Sequence, residues 1–353
     1  MTLYSDYSKR FHDLISCLEN ARRSGRMSHA FLIHAPDSQV RKDFAAVLMQ
    51  ISGCRHIRDG KPDTTCPFCQ QIANGTYSDC HNVFPVGKMY QIKVGDRINP
   101  EPNTLRYLLE HIGYTSGGNR KFGVINDADR MNTEAQNALL KTLEEPPEDT
   151  TMILTTANPE ALLPTTRSRC QLLSLPDNKF HFDFPGLKET TEALFQLCFQ
   201  CGCDLTNIER AAEKLISVAE NLAEVAKNNA EKEFSSVMDA ARRSEDNAFI
   251  KRAEARMSDA ASGTYIRERR SFITAITTFC SQIYMLAANV DERDLPNIEL
   301  FEHLPIPVNI PIERAQRILA EAEDLEKTLR FNVNDELALR TFAINVAMDI
   351  RHC

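Results

Sequence analysis

The sequence lacks the long apolar runs that a membrane-spanning protein needs. Nowhere in its 353 residues does an apolar stretch approach the roughly 18 residues that cross a bilayer. The N-terminal stretch also lacks the basic flank and apolar segment of a secretion signal, so we expect a cytoplasmic protein. Positive charge is not in excess either. The net charge of −8 argues against a free-standing nucleic-acid binder, although a local basic patch is compatible with it.

The composition is that of an ordinary folded protein. Hydrophobic residues make up 42% of the chain and charged residues 25%, which excludes wholesale disorder. Since chains of this length split into domains, 353 residues predict two or three of them. The 11 cysteines, in a large protein of a reducing compartment, indicate metal binding or buried thiols rather than disulfides.

The first half of the chain alternates strand and helix signals. Short apolar runs at residues 30–33, 122–125 and 152–154 are bounded by polar or turn residues, as is typical of buried strands in a parallel sheet. Residues 132–145 open with a capping asparagine, repeat apolar residues on one face and stop at two prolines, which predicts a helix. Residues 1–175 are therefore predicted to form an α/β domain.

The second half carries helix signals only. Stretches rich in Ala, Glu, Lys and Leu at residues 207–239, 267–288 and 311–352 predict the helices of a bundle. Four prolines mark residues 291–311 as a loop. We expect an α/β domain followed by all-helical material.

The segment after the first predicted strand has the position of a phosphate-binding loop but not its residues. Such a loop needs glycines that turn backbone N–H groups onto phosphates, followed by a lysine and a hydroxyl residue. Here the glycine places hold Ala35, Ser38 and Val40, while Arg41 stands at the lysine place and Lys42 at the hydroxyl place. Shifting the frame so that Lys42 becomes the lysine restores no glycine. We therefore expect that this chain does not bind ATP.

The end of the second predicted strand agrees with that expectation. An ATPase carries two acids there, the first for Mg²⁺ and the second to polarise water. The chain has Asn126, which is neutral, and Asp127, which is shorter than the usual glutamate. An alternative is a plain sheet strand that ends in polar residues.

Three longer stretches, residues 124–147, 152–159 and 163–170, together resemble the AAA+ subunits of bacterial DNA polymerase III clamp loaders. They include the runs Asn-Ala-Leu-Leu-Lys-Thr-Leu-Glu-Glu-Pro-Pro and Thr-Arg-Ser-Arg-Cys. Within that family the degenerate loop is typical of the delta-prime branch rather than of the gamma/tau motors. The resemblance covers residues 29–175 and weakens over the helical half, where residues 329–339 resemble the collar-domain signature.

The resemblance implies a fold and a division of labour. It implies an AAA+ core over residues 1–175, a helical lid over 176–230 and a helical collar over 231–353. By the match, Arg169 is an arginine finger, flanked by Ser168 and Cys170, that reaches the ATP site of the next subunit. A guanidinium aimed at a γ-phosphate accelerates phosphoryl transfer by about 10³–10⁵. Thr155 and Thr156 lie where the family has its sensor residue.

The implied activity is that of a stator, a subunit that hydrolyses no ATP itself but completes its neighbour's site during the loading of a sliding clamp on DNA. The implied partners are gamma/tau and delta subunits, with the sliding clamp and primer-template DNA reached through the complex. Two alternatives stay open. One is a motor subunit with an unorthodox loop that uses Arg41 or Lys42, and the other is a scaffold that has left replication.

A cysteine-rich insertion lies at about residues 54–81. Two thiolates in the spacing Cys66-x2-Cys69 reach one metal ion. The related subunits carry four zinc-binding cysteines here, and by that match the ligands are Cys54, Asp63, Cys66 and Cys69. The resemblance therefore implies a structural zinc ion. Alternatives for the fourth ligand are Cys80, His81 and His56, and a decayed site that holds only buried thiols is a further alternative.

The remaining cysteine and arginine clusters have a structural and a functional interpretation. Apolar packing is the favoured interpretation of Cys198, Cys201 and Cys203, since part of this cluster fits a helix face. Phosphate contacts or simple solvation are both compatible with the two basic groups, which are Arg22, Arg23 and Arg26 near the start and Arg267, Arg269 and Arg270 in a later helix.

Overall fold

The computed structural model describes residues 2–87, 89–114, 120–176, 179–182, 184–202, 204–243, 247–307, 310–330 and 334–348. The chain divides into two compact units, residues 1–181 and 182–353. In the described part of the chain, no helix has both the length and the apolarity required to cross a membrane.

The first unit is built on a five-stranded parallel sheet. Its strands are β1 (Ala30–His34), β4 (Cys80–Val83), β5 (Lys121–Ile125), β6 (Thr150–Thr156) and β7 (Gln171–Ser174), and a separate two-stranded hairpin consists of β2 (Ile57–Arg58) and β3 (Lys61–Pro62). The order across the sheet is β4-β5-β6-β1-β7, and every neighbouring pair is parallel. The predicted α/β class is therefore confirmed, and the three predicted strands are its central ones.

The core of this unit has two layers, because successive side chains of the central strands point to opposite faces of the sheet. Phe31 and Ile33 point into one buried cluster, together with Phe122 and Ile153. The intervening residues, such as Leu32, belong to a second cluster on the opposite face. Successive side chains of a strand point to opposite faces, so a sheet buried on both sides needs apolar residues at every position.

Helices cover both faces of the sheet. They are α1 (Leu3–Arg10), α2 (His12–Arg23), α3 (Ser38–Gly53), α4 (Pro67–Ala73), α5 (Leu105–Gly113), α6 (Thr133–Glu144) and α7 (Pro164–Arg167). The predicted helix over residues 132–145 is confirmed as α6, and its cap is Asn132, which accepts a hydrogen bond from the backbone N–H of Ala135. The Pro-Pro pair ends it as expected.

In the described part of the second unit every regular element is a helix. Its helices are α8 (Leu187–Phe199), α9 (Leu205–Arg243), α10 (Asn247–Ala287), α11 (Ile312–Arg330) and α12 (Asp335–Ala347). The predicted loop lies between α10 and α11. They pack around one large apolar cluster. Helices α9 and α10 continue beyond that cluster as an antiparallel arm, which contains a small cluster of its own around Met238 and Ala253.

The structure differs in detail from the predicted helical segments. The helix-rich stretch over residues 311–352 contains two helices, α11 and α12, while α10 begins twenty residues before the stretch predicted over 267–288. Residue 230, the predicted border between lid and collar, lies inside the continuous helix α9. The division of the helical half into lid and collar remains a prediction.

Candidate functional site

The candidate site lies where β1 ends and α3 begins. Asp37 caps α3, since one carboxylate oxygen accepts a hydrogen bond of 2.7 Å from the backbone N–H of Val40. The other oxygen accepts one of 2.6 Å from the backbone N–H of His181. A carboxylate therefore already occupies the helix N-terminus, which is the position where a bound phosphate would collect the same N–H groups.

Arg41 fills the space beneath the loop. Its side chain is 3% exposed, and its Nη1 donates to the carbonyl oxygens of Ala35 at 2.6 Å and Pro36 at 2.9 Å. Its Nη2 donates to Asp127 Oδ1 at 2.5 Å. The loop thus turns carbonyl oxygens toward a cation. A phosphate-binding loop needs the opposite polarity, with N–H groups turned toward an anion.

Asp127 joins this arrangement from the end of β5. Its backbone is left-handed, with φ of 48°, a conformation that Asp and Asn tolerate better than most residues. Its Oδ2 accepts a hydrogen bond of 2.9 Å from the Tyr90 hydroxyl, and its N–H donates to Thr155 Oγ1 at 3.2 Å. Arg41, Asp127, Tyr90 and Thr155 therefore form one buried polar network, which we call the Arg41 network.

The other residues of the degenerate motifs lie apart from this network. Lys42 and Ser38 are exposed, whereas Val40 is completely buried in the core. Asn126 is half-buried, and its side-chain amide donates to the carbonyl oxygen of Val83 at 3.3 Å. Thr156 donates to Asp129 Oδ1 at 2.7 Å.

Arg169 lies just after the short helix α7. Its Nε donates to Glu144 Oε1 at 2.7 Å, its Nη2 forms an ion pair with the same carboxylate, and its Nη1 donates to the Thr165 carbonyl oxygen at 2.8 Å. The side chain remains 33% exposed. Ser168 is exposed, and its hydroxyl also donates to the Thr165 carbonyl oxygen. Arg169 therefore lies at the surface with its guanidinium held by partners on α6 and α7.

Cys170, the last residue of the predicted finger motif, packs against the core. It contacts one of the two buried clusters of the sheet. Burial raises the pKa of its thiol to about 12, so that the thiol is protonated at neutral pH. Its burial is typical of a packing residue, and its place in the finger motif stays a prediction.

Three cysteines of the insertion come together. The sulfur atoms of Cys54, Cys66 and Cys69 lie within 4.8 Å of one another, and those of Cys54 and Cys66 are 3.8 Å apart. Cys66 also caps α4, since its sulfur accepts a hydrogen bond of 3.5 Å from the backbone N–H of Cys69. Three buried thiols in this arrangement fit a thiophilic metal ion such as zinc.

The predicted fourth ligand is not in this group. The Asp63 carboxylate lies outside the set of ligand atoms that the described residues bring together. Its Oδ1 instead accepts hydrogen bonds from the backbone N–H and the hydroxyl of Thr65, which hold the pKa of Asp63 below its usual value. Cys80, an alternative ligand, lies with its sulfur 3.7 Å from the sulfur of Met49. His56 and His81 are also outside the group.

The second cysteine cluster is part of the helical core. Cys198 and Cys201 belong to the large apolar cluster of the second unit, together with Cys280. Burial raises the pKa of Cys198 to about 12, which is typical of inert thiols. Cys203 lies outside the described residues.

Two of the basic residues have structural partners. Arg23 donates to the Asp59 carbonyl oxygen at 2.7 Å and so fastens the β2–β3 hairpin to α2. Arg269 forms a two-pronged ion pair with Asp335, at 2.8 Å from Nε and 2.5 Å from Nη2, and donates to the Leu329 carbonyl oxygen. Both guanidinium groups therefore have partners within the chain.

Sequence reasoning did not single out three residues of these sites, which are Asp37, Tyr90 and Glu144. Asp37 had a local signal, because an acid immediately before a helix start is a common cap. Tyr90 and Glu144 had none, since both meet their partners only through the folding of distant segments.

A parallel sheet covered by helices, with a loop in the phosphate-binding position between its first strand and the following helix, is the architecture of the P-loop-type class of α/β domains. Residues 11–179 match the sequence model of the family described as DNA polymerase III, delta subunit. Over that region the chain is similar to delta-prime subunits of DNA polymerase III clamp loaders, and the predicted resemblance is confirmed.

Individual relatives show the same similarity. DNA polymerase III subunit delta-prime from Bacillus subtilis is 32% identical over 161 residues, which cover 45% of this chain and 46% of the relative. The delta-prime subunit from Escherichia coli is 32% identical over 151 residues, which cover 42% and 43%. Subunit tau from Bacillus subtilis is 29% identical over 170 residues, which cover 46% and 28%. The chain thus spans less than half the length of these relatives.

Two solved structures show similarity over almost the whole chain. A DNA polymerase III gamma-subunit-related protein from Thermotoga maritima is 19% identical, with a TM-score of 0.40 and coverage of 93% of this chain and 98% of that one. The clamp-loader delta protein from Bacillus subtilis is 9% identical, with a TM-score of 0.32 and coverage of 94% and 99%.

Proposed function

We propose that this chain is the stator of a hetero-oligomeric DNA polymerase III clamp loader, a subunit that hydrolyses no ATP and donates Arg169 to the ATP site of a neighbour. The observation that carries the proposal is the position of Arg41. Its guanidinium lies under the degenerate loop, bonded to two loop carbonyls and paired with Asp127. The chain supplies its own cation and its own anion where a nucleotide complex would have Mg²⁺ and phosphate.

Energetics support the exclusion of ATP. A nucleotide would have to displace the Arg41–Asp127 pair, and breaking a buried pair costs about 3–5 kcal/mol. It would also have to replace the Asp37 carboxylate at the start of α3, because two anions do not share one helix N-terminus. The same contacts argue against the alternative of a motor subunit, because Arg41 is engaged and Lys42 points to solvent.

The surroundings of Arg169 support a role in trans. The Arg169–Glu144 pair is partly exposed on both sides, and such pairs are worth about 0–1 kcal/mol. A γ-phosphate on a neighbouring subunit offers the guanidinium more negative charge than one carboxylate does. We therefore infer that Arg169 exchanges Glu144 for phosphate when the subunits assemble.

The proposed partners follow from the same role. The relatives of this chain are named as delta-prime and tau or gamma subunits, and we propose that this chain assembles with gamma/tau and delta subunits. The sliding clamp and primer-template DNA would be reached through the complex. As a replication factor, the chain would act in the cytoplasm.

The first test is a titration of the isolated chain with fluorescent ATP and Mg²⁺. We expect no saturable binding at high micromolar nucleotide. Saturable binding that is lost in Arg41→Ala or Lys42→Ala would favour the motor alternative instead.

The second test measures ATP turnover at the neighbouring site in the assembled clamp loader. Arg169→Ala is expected to lower it by about 10³–10⁵, the usual effect of removing an arginine finger. Arg167→Ala is the matched control, because Arg167 is the last residue of α7, two positions before Arg169, and is likewise paired, with Glu160. Unchanged turnover in Arg169→Ala complexes that assemble normally would leave a scaffold as the better interpretation.

A further inference from the structure

Two half-buried histidines meet at one edge of the sheet. His81 lies on the edge strand β4, and His111 lies in the last turn of α5, the helix that packs against this strand. The centroids of the two rings are 5.4 Å apart, and the ring planes are inclined by 59°. Neither ring belongs to the Arg41 network or to the three-cysteine group. The pair is therefore a separate cluster of metal-ligating side chains.

The ring of His111 is fixed in an orientation that leaves one nitrogen free to bind. Its Nδ1 lies 2.8 Å from the carbonyl oxygen of Tyr107. Because a carbonyl oxygen only accepts, Nδ1 carries the proton, and Nε2 of the neutral ring then carries an electron pair. The Tyr107 ring stacks on the imidazole at 3.7 Å between centroids, and the Tyr114 ring meets it edge-on at 5.6 Å. A histidine that binds metal through one nitrogen usually donates the other N–H to such a carbonyl or carboxylate.

The surroundings of His81 favour its neutral form. Burial lowers the pKa of His81 below its usual value, and the nearby His111 and Lys121 act in the same direction, while Asp79 opposes them. The neutral form therefore predominates at neutral pH. Only neutral imidazole binds a metal ion, so protons compete little for this ring under those conditions.

The separation of the two rings fits one shared ion. Imidazole nitrogen binds zinc at about 2.0–2.1 Å, so each ring centroid lies about 3.2 Å from the ion and two rings on a tetrahedral ion have centroids about 5.2 Å apart. The observed separation of 5.4 Å agrees with this value. The Lys121 ammonium opposes a second cation here, whereas the nearby Asp79 carboxylate favours one.

We propose that His81 and His111 bind one divalent transition-metal ion between β4 and the end of α5, through one nitrogen of each ring. Imidazole nitrogen suits Zn²⁺, Ni²⁺ and Cu²⁺. The described residues bring no third His, Cys, Asp or Glu ligand atom to this pair, so water completes the coordination. With only two protein ligands the ion is exchangeable. This inference concerns the sheet edge alone and does not depend on the stator role.

The test titrates Ni²⁺ into the reduced, full-length chain by isothermal titration calorimetry, after one equivalent of Zn²⁺ has been added to occupy the three thiols. We expect one Ni²⁺ per chain at pH 7.5. His81→Gln and His111→Gln should each weaken this binding at least about tenfold, because each removes one of two ligands. Lowering the pH to 5.5 should weaken binding to the unmodified chain at least about tenfold, because protons compete for the rings.

A matched control separates this pair from histidines in general. His12 is an exposed histidine on α2 whose Nδ1 likewise has a close polar partner, the Asp13 carboxylate at 3.3 Å. His12→Gln should bind Ni²⁺ within about twofold of the unmodified chain. Far-ultraviolet circular dichroism checks that each variant is folded. Independently of any variant, substoichiometric Ni²⁺ should broaden the ring resonances of only two of the nine histidines in the unmodified chain.

Three results would overturn the proposal. Equal Ni²⁺ binding by the unmodified chain and both glutamine variants would place the ion elsewhere. A loss in His81→Gln without one in His111→Gln would mean that His81 binds the ion together with groups other than His111. Broadening spread over most of the histidine resonances would mean that the ion binds the chain without a defined site.

Discussion

The buried pair between Arg41 and Asp127 can be tested by changing either partner. Arg41→Met removes the cation while keeping an unbranched side chain, and leaves the buried Asp127 carboxylate without its Arg41 partner. Asp127→Asn removes the anion but keeps a residue that tolerates the left-handed backbone at φ of 48°. The two side chains are 3% and 12% exposed, so each single change should destabilise the first unit by about 3 kcal/mol.

The double variant separates the interaction energy of the Arg41–Asp127 pair from the cost of removing each side chain alone. Because it removes both charges, no unpaired ion stays buried, and its cost should be smaller than the sum of the single costs by about 2 kcal/mol or more. With denaturant slopes of about 1–3 kcal/mol per molar urea, each single change should lower the midpoint by about 1–3 M.

Tyrosine fluorescence is a suitable probe of this transition. The chain has no tryptophan, and six of its eight tyrosines lie in the first unit, at Tyr4, Tyr7, Tyr77, Tyr90, Tyr107 and Tyr114. The signal therefore reports mainly the sheet domain while the helical unit contributes little. Single variants that lose less than about 1 kcal/mol, or costs that simply add in the double variant, would refute the role of the buried pair.

Three further predictions concern other parts of the chain. Because the pKa of Cys170 is raised from 9.0 to about 12, its contribution to stability is complete below pH 9 and is lost as the pH rises toward 12. Alkylation at pH 8, followed by mass spectrometry, should modify exposed Cys17 and spare Cys170. Arg269→Ala should destabilise the helical unit by about 1–2 kcal/mol in urea unfolding followed by circular dichroism, because its ion pair is half-buried, whereas exposed Arg267→Ala should change it little. Gly123→Ala should cost about 1–3 kcal/mol in the tyrosine assay, since the added Cβ would lie 2.8 Å from a buried methionine sulfur.

Sequence reasoning located the centre of the sheet but not its edges. The central strands β1, β5 and β6 are buried on both faces and therefore read as apolar runs. The edge strands β4 and β7 are partly exposed, and their sequences Cys-His-Asn-Val and Gln-Leu-Leu-Ser carry too short an apolar signal. A short strand can be predicted from its sequence when both of its faces are buried, because its residues then form a continuous apolar run.

The candidate site was predictable in some of its residues but not in its contacts. The motif comparison singled out Arg41 and Asp127, yet 86 positions separate them and only the fold makes them partners. The comparison also placed Asp63 among the metal ligands. The hydroxyl of Thr65, two residues further along, was the local signal that the carboxylate has another partner, since Asp side chains commonly bind groups two residues on.

The long arm of α9 and α10 implies an uneven distribution of local stability. The last residue of α9 in the main cluster is Leu222, and the helix continues to Arg243, about 31 Å further at 1.5 Å per residue. Along this length the described clusters include only the small group around Met238 and Ala253. Amide protons of α9 near the bundle should therefore exchange only when the whole unit unfolds, whereas those in the arm should exchange through local opening of lower free energy. One continuous helix would thus contain two levels of protection against amide hydrogen exchange.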